Sequence, residues 1–179
     1  AAAVAYAVAR WLAKPLHLAY HDSLTGLLNR AALDKLFVRV LQKSGESAAI
    51  MMIDLDNFKQ VNDLLGHDRG DLLLRDVAGA IRRVARKQDF PFRLGGDEFM
   101  LLMPNTGREE AMRRAVLLLE ALEGDEMRQV LPDGAAVTAS IGIALYPQHG
   151  RDPETLLKQA DRALYASKEK GKNRCGVCD

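Results

Sequence analysis

The chain has 179 residues, of which 48% are hydrophobic and 27% are charged, and its formal net charge is +1. This length suits one ordinary domain, and the composition is typical of a globular protein with a real core rather than of a disordered chain. The small net charge gives no overall field that would attract nucleic acid or an anionic membrane. We therefore expect no nucleic acid partner, and any affinity for phosphate must depend on a local cluster of charges.

Residues 1–21 are predicted to lie outside the main domain, which is predicted to cover residues 22–179. The chain starts with an apolar, alanine-rich run that is followed by Arg10, Trp11 and Lys14. The run is shorter than the about 20 residues that span a bilayer. Two interpretations stay open. The segment is either a helical stub that leads into the domain or the cytoplasmic end of a transmembrane helix, where basic and aromatic residues are common.

Hydrophobic periodicity predicts alternating helices and strands along the rest of the chain. Asp22 or Ser23 is expected to cap a first helix that Gly45 ends. Further helices are predicted at 58–65, about 71–86, 109–122 and 153–169, and strands at 48–53, on both sides of Gly95 and Gly96, and at 136–145 after a turn at 130–134. This order predicts an α/β fold of the α+β sandwich type, in which a mixed central sheet of about five strands is flanked by helices and includes a β-hairpin.

The predicted hairpin carries acidic residues at its tip. Gly95 and Gly96 lie between two apolar segments and predict a two-residue turn, because glycine readily adopts the positive φ angles that such turns need. Asp97 and Glu98 follow directly. Asp54 ends the predicted strand at 48–53, and hard oxygen ligands that converge from two strand ends suit Mg²⁺. The alternative is that these acids are solvated surface charges.

Three motifs occur in order along the chain. They are DSLTGLLNR at residues 22–30, DLDNFKQVND at 54–63 and RLGGDEF at 93–99. Together they resemble the GGDEF family of bacterial diguanylate cyclases, over residues 22 to about 174. The resemblance implies that two GTP molecules are joined into cyclic di-GMP with release of two pyrophosphates, on a fold similar to the palm of nucleotide polymerases. It also implies a cytoplasmic domain, in a protein that has an upstream sensory domain and is either soluble or anchored in the inner membrane.

The resemblance implies a metal-dependent catalytic site. The residues that match the family's metal ligands are Asp54 and Asp97, with help from the backbone carbonyl of Leu55. Glu98 matches a second essential acid and is assigned to metal binding. Asp54, Asp97 and Glu98 are thus the expected catalytic residues, and two Mg²⁺ or Mn²⁺ ions are expected in each half-site. Two such ions could activate a 3′-hydroxyl and neutralise charge on the attacked phosphate.

Nine residues are expected to contact GTP. Backbone N–H groups at the start of a helix can receive phosphates, and a carboxylate and an amide can together read the edge of guanine. The nine are Asn57, Phe58 and Lys59 at the helix start, Asn62 and Asp71, which match the family's guanine readers, Gly95 and Gly96 beside the nucleotide, and Lys168 and Lys172, which match the family's phosphate-binding basic pair. The alternative for the polar pair is a role in caps or turns, and for the lysines a solvated helix C-terminus.

A possible inhibitory product site lies just ahead of the hairpin. Arg86 and Asp89 match the Arg-x-x-Asp motif of the family's product site, and Arg113 on the following predicted helix is a third candidate. The motif predicts feedback inhibition by cyclic di-GMP, and the alternative is a surface ion pair that contributes little.

Two functions follow from these residues. The first is a catalytically competent diguanylate cyclase that works as a homodimer, because one domain has one half-site for one GTP. The alternative is a non-catalytic receptor for GTP or cyclic di-GMP. A general nucleotide cyclase or polymerase is a more distant third option. Cys175 and Cys178 are interpreted as two reduced thiols in a tail, with half a zinc site or a redox pair as alternatives.

Overall fold

The computed structural model describes residues 19–43, 45, 47–124 and 138–178. Most of the predicted N-terminal stub and the predicted turn at 130–134 lie outside these residues. No helix in the described ranges combines the length and the hydropathy that crossing a membrane requires. In chain order, the elements are helix α1 (Arg30–Lys43), strand β1 (Ala48–Leu55), helices α2 (Phe58–Leu65) and α3 (His67–Val84), strands β2 (Phe90–Gly95) and β3 (Glu98–Pro104), helix α4 (Arg108–Glu123), strand β4 (Ala139–Tyr146), helix α5 (Pro153–Glu169) and strand β5 (Arg174–Val177).

The strands form one sheet of five strands in the order β2-β3-β1-β4-β5. All neighbouring pairs are antiparallel except β4 and β5, which are parallel. A parallel pair needs a long crossover connection, and α5 provides it. The central strand β1 is the continuous apolar run of the sequence, and its first six residues are all buried. The predicted mixed sheet of five strands flanked by helices is therefore confirmed.

Two hydrophobic clusters cover the two faces of the sheet. Successive side chains of a strand point to opposite faces, so β1 contributes to both clusters. The first cluster joins β1 to α3 and α4 and includes Met51, Ile53, Leu73, Val77 and Leu118. The second cluster joins β1 to α1 and α5 and includes Ile50, Met52, Phe37, Leu156 and Ala160. This layering holds the ends of β1 and β3, where the acidic motifs lie, between helices of both faces.

The first helix begins later than predicted. Asn29 caps α1, because its Oδ1 accepts a hydrogen bond of 3.0 Å from the backbone N–H of Ala32. Asp22 instead closes a turn: its Oδ1 accepts from the backbone N–H of Thr25 at 2.8 Å and from the Thr25 hydroxyl at 2.6 Å. The predicted cap at Asp22 or Ser23 is therefore wrong, since Asp side chains that bind nearby backbone stabilise turns as well as helix ends.

The hairpin turn is shifted by one residue from the prediction. Gly95 pairs with Glu98, so the two turn residues are Gly96 and Asp97, and the register is irregular between Arg93 and Gly95. The φ angles of Gly95 and Gly96 are 152° and 50°, whereas a Cβ atom on either residue would meet nothing within 4 Å. Both positions therefore need glycine for its backbone conformation rather than for space. As a result Asp97 lies in the turn itself, and Glu98 is the first residue of β3.

The two cysteines belong to the edge of the sheet, so the prediction that they lie in a tail is wrong. Neither is in a disulfide. Cys175 is in β5 and packs against the first cluster, and its burial raises the pKa of its thiol. Cys178 is buried, and its Sγ donates to the Gln159 Oε1 of α5 at 3.0 Å. The two side chains therefore lie toward opposite faces of the sheet and do not form a pair.

Candidate active site

Antiparallel pairing of β1 and β3 brings the predicted acids together. Asp54 and Glu98 are direct partners in the register. Burial raises the pKa of Asp54, and the charges of Asp97 and Asp56 add to the rise while a hydrogen bond and the charge of Lys168 oppose it. Burial also raises the pKa of Glu98, and the nearby charges of Asp54 and Asp97 raise it further. These carboxylates therefore form one region of concentrated negative charge.

Lys168 of α5 is the cation of this region. Its Nζ lies 2.8 Å from Asp54 Oδ1, with 36% of the lysine side chain and 14% of the aspartate side chain exposed. Asp161, which precedes Lys168 in α5, also raises the pKa of Glu98. Its effect is smaller than those of burial, Asp54 and Asp97. The lysine ammonium thus partly offsets a group of acids that would otherwise repel one another.

The residues present fit a hard divalent cation. Carboxylates with excess negative charge are the ligands that Mg²⁺ prefers, and Asp54 already accepts the contact of one positive charge, the Lys168 ammonium. Within the described ranges, no three His, Cys, Asp or Glu side chains gather closely enough to hold a metal by themselves. A metal at Asp54 would therefore share its coordination with other oxygens, such as the Leu55 carbonyl and substrate phosphates, as is usual for Mg²⁺.

The start of α2 forms an anion-binding arrangement beside these acids. Asn57 precedes the helix in a left-handed conformation, with φ 59° and ψ 22°. The first N–H groups of a helix, here those that follow Asn57, have no partner inside the helix and favour anions. Lys172 lies across this end, with its Nζ 2.6 Å from Asn57 Oδ1. The structure thus brings together Asn57, Phe58 and Lys172 as predicted, with Lys59 exposed beside them.

The predicted guanine readers meet where α2 and α3 join. A Cβ atom on Gly70 would lie 1.9 Å from Asn62 Oδ1, so Asn62 packs directly against the backbone of α3. Asp71 is the next residue of α3 and is exposed. Sequence reasoning missed Gly70, although a glycine within a helical pattern often marks such a close approach.

Arg93 connects the hairpin to the loop before α1. Its Nη1 donates to Asp22 Oδ1 at 3.0 Å, while its Nε and Nη2 donate to the Gly96 carbonyl at 3.1 and 2.8 Å. Burial acts to raise the pKa of Asp22, but the hydrogen bonds from Thr25 and Arg93 outweigh it and lower the pKa. On the other side of the loop, Arg82 of α3 donates to the Thr25 carbonyl at 2.5 Å. The conformation of the acidic hairpin is thereby tied to the segment that precedes α1.

The Arg86 and Asp89 pair lies just before β2, at the end of the strand that is away from the hairpin turn. Arg86 binds both carboxylate oxygens of Asp89, the shortest side-chain contact being 2.9 Å, and its Nη2 also donates to the carbonyl of Pro104 at 3.1 Å and to the Thr106 hydroxyl. The Asp89 side chain is fully buried, and 27% of the Arg86 side chain is exposed. The pair is therefore not the surface ion pair of the alternative interpretation.

Arg114, rather than Arg113, extends this network. Nη1 of Arg114 lies 3.4 Å from Asp89 Oδ2 and also donates to the carbonyl of Val84, and only 9% of its side chain is exposed. Arg113 binds Glu110 at 2.8 Å and faces solvent. The hydrogen bonds of Arg113 and Arg114 lower the pKa of Glu110 to about 2. The sequence prediction named Arg113 and missed Arg114, because adjacent residues of one helix differ in their partners only once the helix is packed.

The sheet order, the acidic hairpin and the helices on both faces define a palm-like domain of the nucleotide-cyclase type. The family model described as "Diguanylate cyclase, GGDEF domain" matches residues 19–174. The chain therefore belongs to the GGDEF family, as its three motifs predict.

Named relatives and solved structures agree with this assignment. The chain is 42% identical over 161 residues to the cyclic di-GMP phosphodiesterase NbdA and 41% identical over 162 residues to the diguanylate cyclase TpbB, both from Pseudomonas aeruginosa. Each match covers 87% of this chain, but only 20% of NbdA and 37% of TpbB. The chain thus spans well under half of either relative. The coiled coil and GGDEF domain of DgcB from Caulobacter crescentus, in complex with c-di-GMP, superimposes with a TM-score of 0.83 at 31% identity and covers 98% of this chain and 94% of that chain.

Proposed function

We propose that this chain is a catalytic diguanylate cyclase domain that converts two GTP molecules into cyclic di-GMP and two pyrophosphates. The observation that carries the proposal is the pairing of Asp54 with Glu98 at the end of the central strands, beside Asp97 in the glycine turn. GGDEF diguanylate cyclases depend on a metal, and Mg²⁺ or Mn²⁺, two ions in each half-site, would be held by these acids and the Leu55 carbonyl. When bound, the metal supplies positive charge that polarises phosphate oxygens and favours ionisation of the attacking hydroxyl.

The remaining site residues bind and orient the nucleotide in this proposal. The N–H groups that follow Asn57, together with Lys172, receive phosphates at the start of α2. Asn62 and Asp71 face the guanine, whose N1–H and N2–H₂ donors suit a carboxylate and whose acceptors suit an amide. The open backbone at Gly95 and Gly96 leaves room for the nucleotide.

The reaction requires two copies of the domain. Each 3′-hydroxyl attacks the α-phosphate of the other GTP, which forms one phosphodiester bond and releases one pyrophosphate in each direction. One domain presents one set of acids and one guanine site, so two domains must face each other as a homodimer. Catalysis then arises mainly from positioning and from charge stabilisation, as in other phosphoryl transfers. An upstream sensory module that brings two copies together would control the rate.

A receptor without catalytic activity is the second candidate function. It is favoured by the similarity to NbdA, which is named a cyclic di-GMP phosphodiesterase, and by the structure of DgcB in complex with c-di-GMP. Both observations are compatible with a domain that binds a nucleotide without converting it. The presence of Asp54, Asp97 and Glu98 argues against this candidate, because the loss of these proposed metal ligands is what would mark a receptor that had lost catalysis.

Turnover of GTP separates the two candidates. With GTP and Mg²⁺, we expect chromatography to show cyclic di-GMP and pyrophosphate, with a rate that rises more steeply than the enzyme concentration across the monomer–dimer range. ATP in place of GTP should give no cyclic product. Binding of GTP without product at high protein concentration would favour the receptor, and a rate strictly proportional to enzyme would contradict the facing half-sites.

Product inhibition through Arg86 and Asp89 is a further part of the proposal, with Arg113 as the third candidate ligand. The fully buried Asp89 carboxylate holds Arg86 in place, so binding of cyclic di-GMP would require the Arg86 guanidinium to exchange carboxylate oxygens for a phosphate or a guanine edge. Added cyclic di-GMP should slow the initial rate of the wild type and have less effect on Arg86→Ala. Equal insensitivity of the two proteins would remove this part of the proposal.

A substitution at Gly70 should weaken GTP binding through Asn62. In Gly70→Ala the new Cβ atom would overlap Asn62 Oδ1, so the amide must leave the position proposed to read guanine, and we expect GTP affinity to fall about tenfold or more. Gly79→Ala in the same helix is the matched control, because its nearest contact would be Arg83 Nη1 at 3.7 Å. Alanine at position 79 should leave affinity unchanged and stabilise the helix slightly. Equal affinities of the two variants would show that Asn62 does not contact the nucleotide.

A further inference from the structure

Asp56 lies two residues beyond Asp54 but serves a different purpose. Its Oδ1 accepts a hydrogen bond of 2.7 Å from the Ser140 hydroxyl, and its Oδ2 accepts from the Thr138 hydroxyl at 2.9 Å and from the backbone N–H of Asn173 at 3.1 Å. Its own N–H donates to the Thr138 carbonyl at 2.9 Å. The side chain therefore joins the end of β1 to the start of β4 and to the turn that follows α5.

The turn after α5 has a backbone conformation that needs such support. Gly171, Lys172 and Asn173 have consecutive φ angles of 108°, 61° and 47°. Residues other than glycine adopt this left-handed region infrequently. The contacts that hold the turn are the Asp56 hydrogen bond to Asn173, the hydrogen bond of 3.2 Å from the N–H of Lys172 to the Ser167 carbonyl, and the contact between the Asn173 amide and Glu123.

The position of Lys172 follows from this turn. The left-handed backbone turns the lysine back toward the sheet, where its Nζ lies 2.6 Å from Asn57 Oδ1 at the start of α2. Asp56 directly precedes Asn57, so two neighbouring residues at the start of α2 contact this turn: Asp56 accepts from the backbone N–H of Asn173, and Asn57 accepts from the Lys172 ammonium. The hydrogen bonds to three donors direct the Asp56 oxygens into the protein rather than toward a bound phosphate.

We propose that Asp56 is a positioning residue for the triphosphate of GTP: it fixes the turn at residues 171–173, so that the Lys172 ammonium stands at the N-terminus of α2. This inference rests on the proposed function. Asp56 acts through Lys172 and has no contact with the nucleotide. The role depends on the acceptor atoms of the side chain and on its length, and it does not depend on its charge.

Four variants test the proposal through the dissociation constant of GTP, measured by calorimetry with Mg²⁺. Lys172→Ala should weaken binding about tenfold, which is the loss of one charge-assisted contact to phosphate, and Asp56→Ala should weaken it to a similar extent. The dissociation constant of GTP for the double variant should equal the larger of the two single-variant values, because both changes remove the same contact. Asp56→Asn should bind nearly as the wild type does, since its amide oxygen can accept from Asn173 and Thr138 while its NH₂ donates to Ser140.

A second measurement needs no nucleotide and monitors the lysine directly. Lys172 and Lys87 are both exposed, but the Lys172 ammonium is held by Asn57. The rate of acylation of Lys172, followed by peptide mass spectrometry and divided by that of Lys87, should therefore rise in Asp56→Ala, where this contact is released, and stay near the wild-type ratio in Asp56→Asn. If Asp56→Ala does not fold, Asp56→Glu takes its place: it keeps the charge but lengthens the side chain, and it should likewise release Lys172 and weaken GTP binding.

The outcomes distinguish this inference from the proposed function. Independent losses of affinity that multiply in the double variant, or unchanged acylation of Lys172 in Asp56→Ala, would overturn the positioning role. A wild-type protein that does not bind GTP would contradict the proposed function, whereas the acylation rates would still show whether Asp56 fixes Lys172.

Discussion

Replacement of Asp54 by asparagine is expected to reduce the rate of cyclic di-GMP formation about a thousandfold, which corresponds to about 4 kcal/mol of transition-state stabilisation. The carboxylate is half-buried opposite Glu98, in the region where the proposed metal would neutralise charge on the phosphates. Asparagine keeps the shape of the side chain but cannot supply the negative charge that a divalent cation needs. The measurement is the initial rate with saturating GTP and Mg²⁺ at equal concentrations of each protein.

The loss of activity in Asp54→Asn should not reflect unfolding. Burial and the neighbouring acids raise the pKa of Asp54, which shows that its charge is held at a cost in the folded protein. The partly exposed Lys168 can turn to water when its partner becomes neutral. We therefore expect the thermal midpoint to stay within a few degrees of the wild type. Asp76→Asn, an exposed position on α3, is the matched control and should keep full activity. A fully active Asp54→Asn would rule out a metal at this carboxylate.

Much of the fold was predictable because local patterns determine it. The continuous apolar run of β1 requires cover on both faces, and the structure places it at the centre of the sheet. The bounds predicted for α2 and α5 agree with the structure, since Gly66 and Gly171 lie just beyond their ends and Pro153 opens α5. The acids of the hairpin and Asp54 were also found from sequence, because they stand at strand ends and match the family's motifs, whereas the register that pairs Asp54 with Glu98 is known only from the structure.

Predictions of which helix side is buried were less successful. The helical spacing of large apolar residues in the sequence predicts that Leu72, with Leu73, Val77 and Ile81, and Val116 of the next long helix face the core. Leu72 and Val116 are instead 43% and 44% exposed. Small residues decide the orientation of both helices: the buried face of α4 contains Ala111 and Ala115, which a pattern based on large apolar residues does not weigh. The helix α3 also begins at His67 rather than near residue 71, although Leu73, Val77 and Ile81 are buried as the spacing predicts.

Contacts between distant residues could not be predicted from local patterns. Arg93 stands in the hairpin motif, but its partner Asp22 is 71 positions away, and nothing in either segment identifies the pair. The same holds for Asp56, whose acceptors are filled by Thr138, Ser140 and Asn173. Sequence spacing places Asp54 and Asp56 on one side of an extended chain. In the structure, however, Asp54 belongs to the acidic site, whereas Asp56 binds the turn that follows α5.

The network around Asp89 is expected to stabilise the whole domain, and Arg114→Ala should show it. Removing this guanidinium leaves the buried Asp89 carboxylate with Arg86 as its remaining charged partner and leaves the Val84 carbonyl without its donor. Loss of one partner from a buried charge pair destabilises strongly, so we expect the free energy of unfolding to fall by about 3 kcal/mol. The measurement is urea denaturation followed by circular dichroism.

Arg113→Ala is the matched control for Arg114→Ala, because the two positions are adjacent and the substitution is identical. Arg113 binds Glu110 on the surface, with 57% of its side chain exposed, so its loss should leave the urea midpoint within experimental error. Equal midpoints for the two variants would contradict a structural role for Arg114. The comparison also bears on product inhibition: if Arg113 contributes to a cyclic di-GMP site, Arg113→Ala should weaken inhibition without loss of stability, whereas effects of Arg114→Ala on inhibition must be corrected for its unfolded fraction.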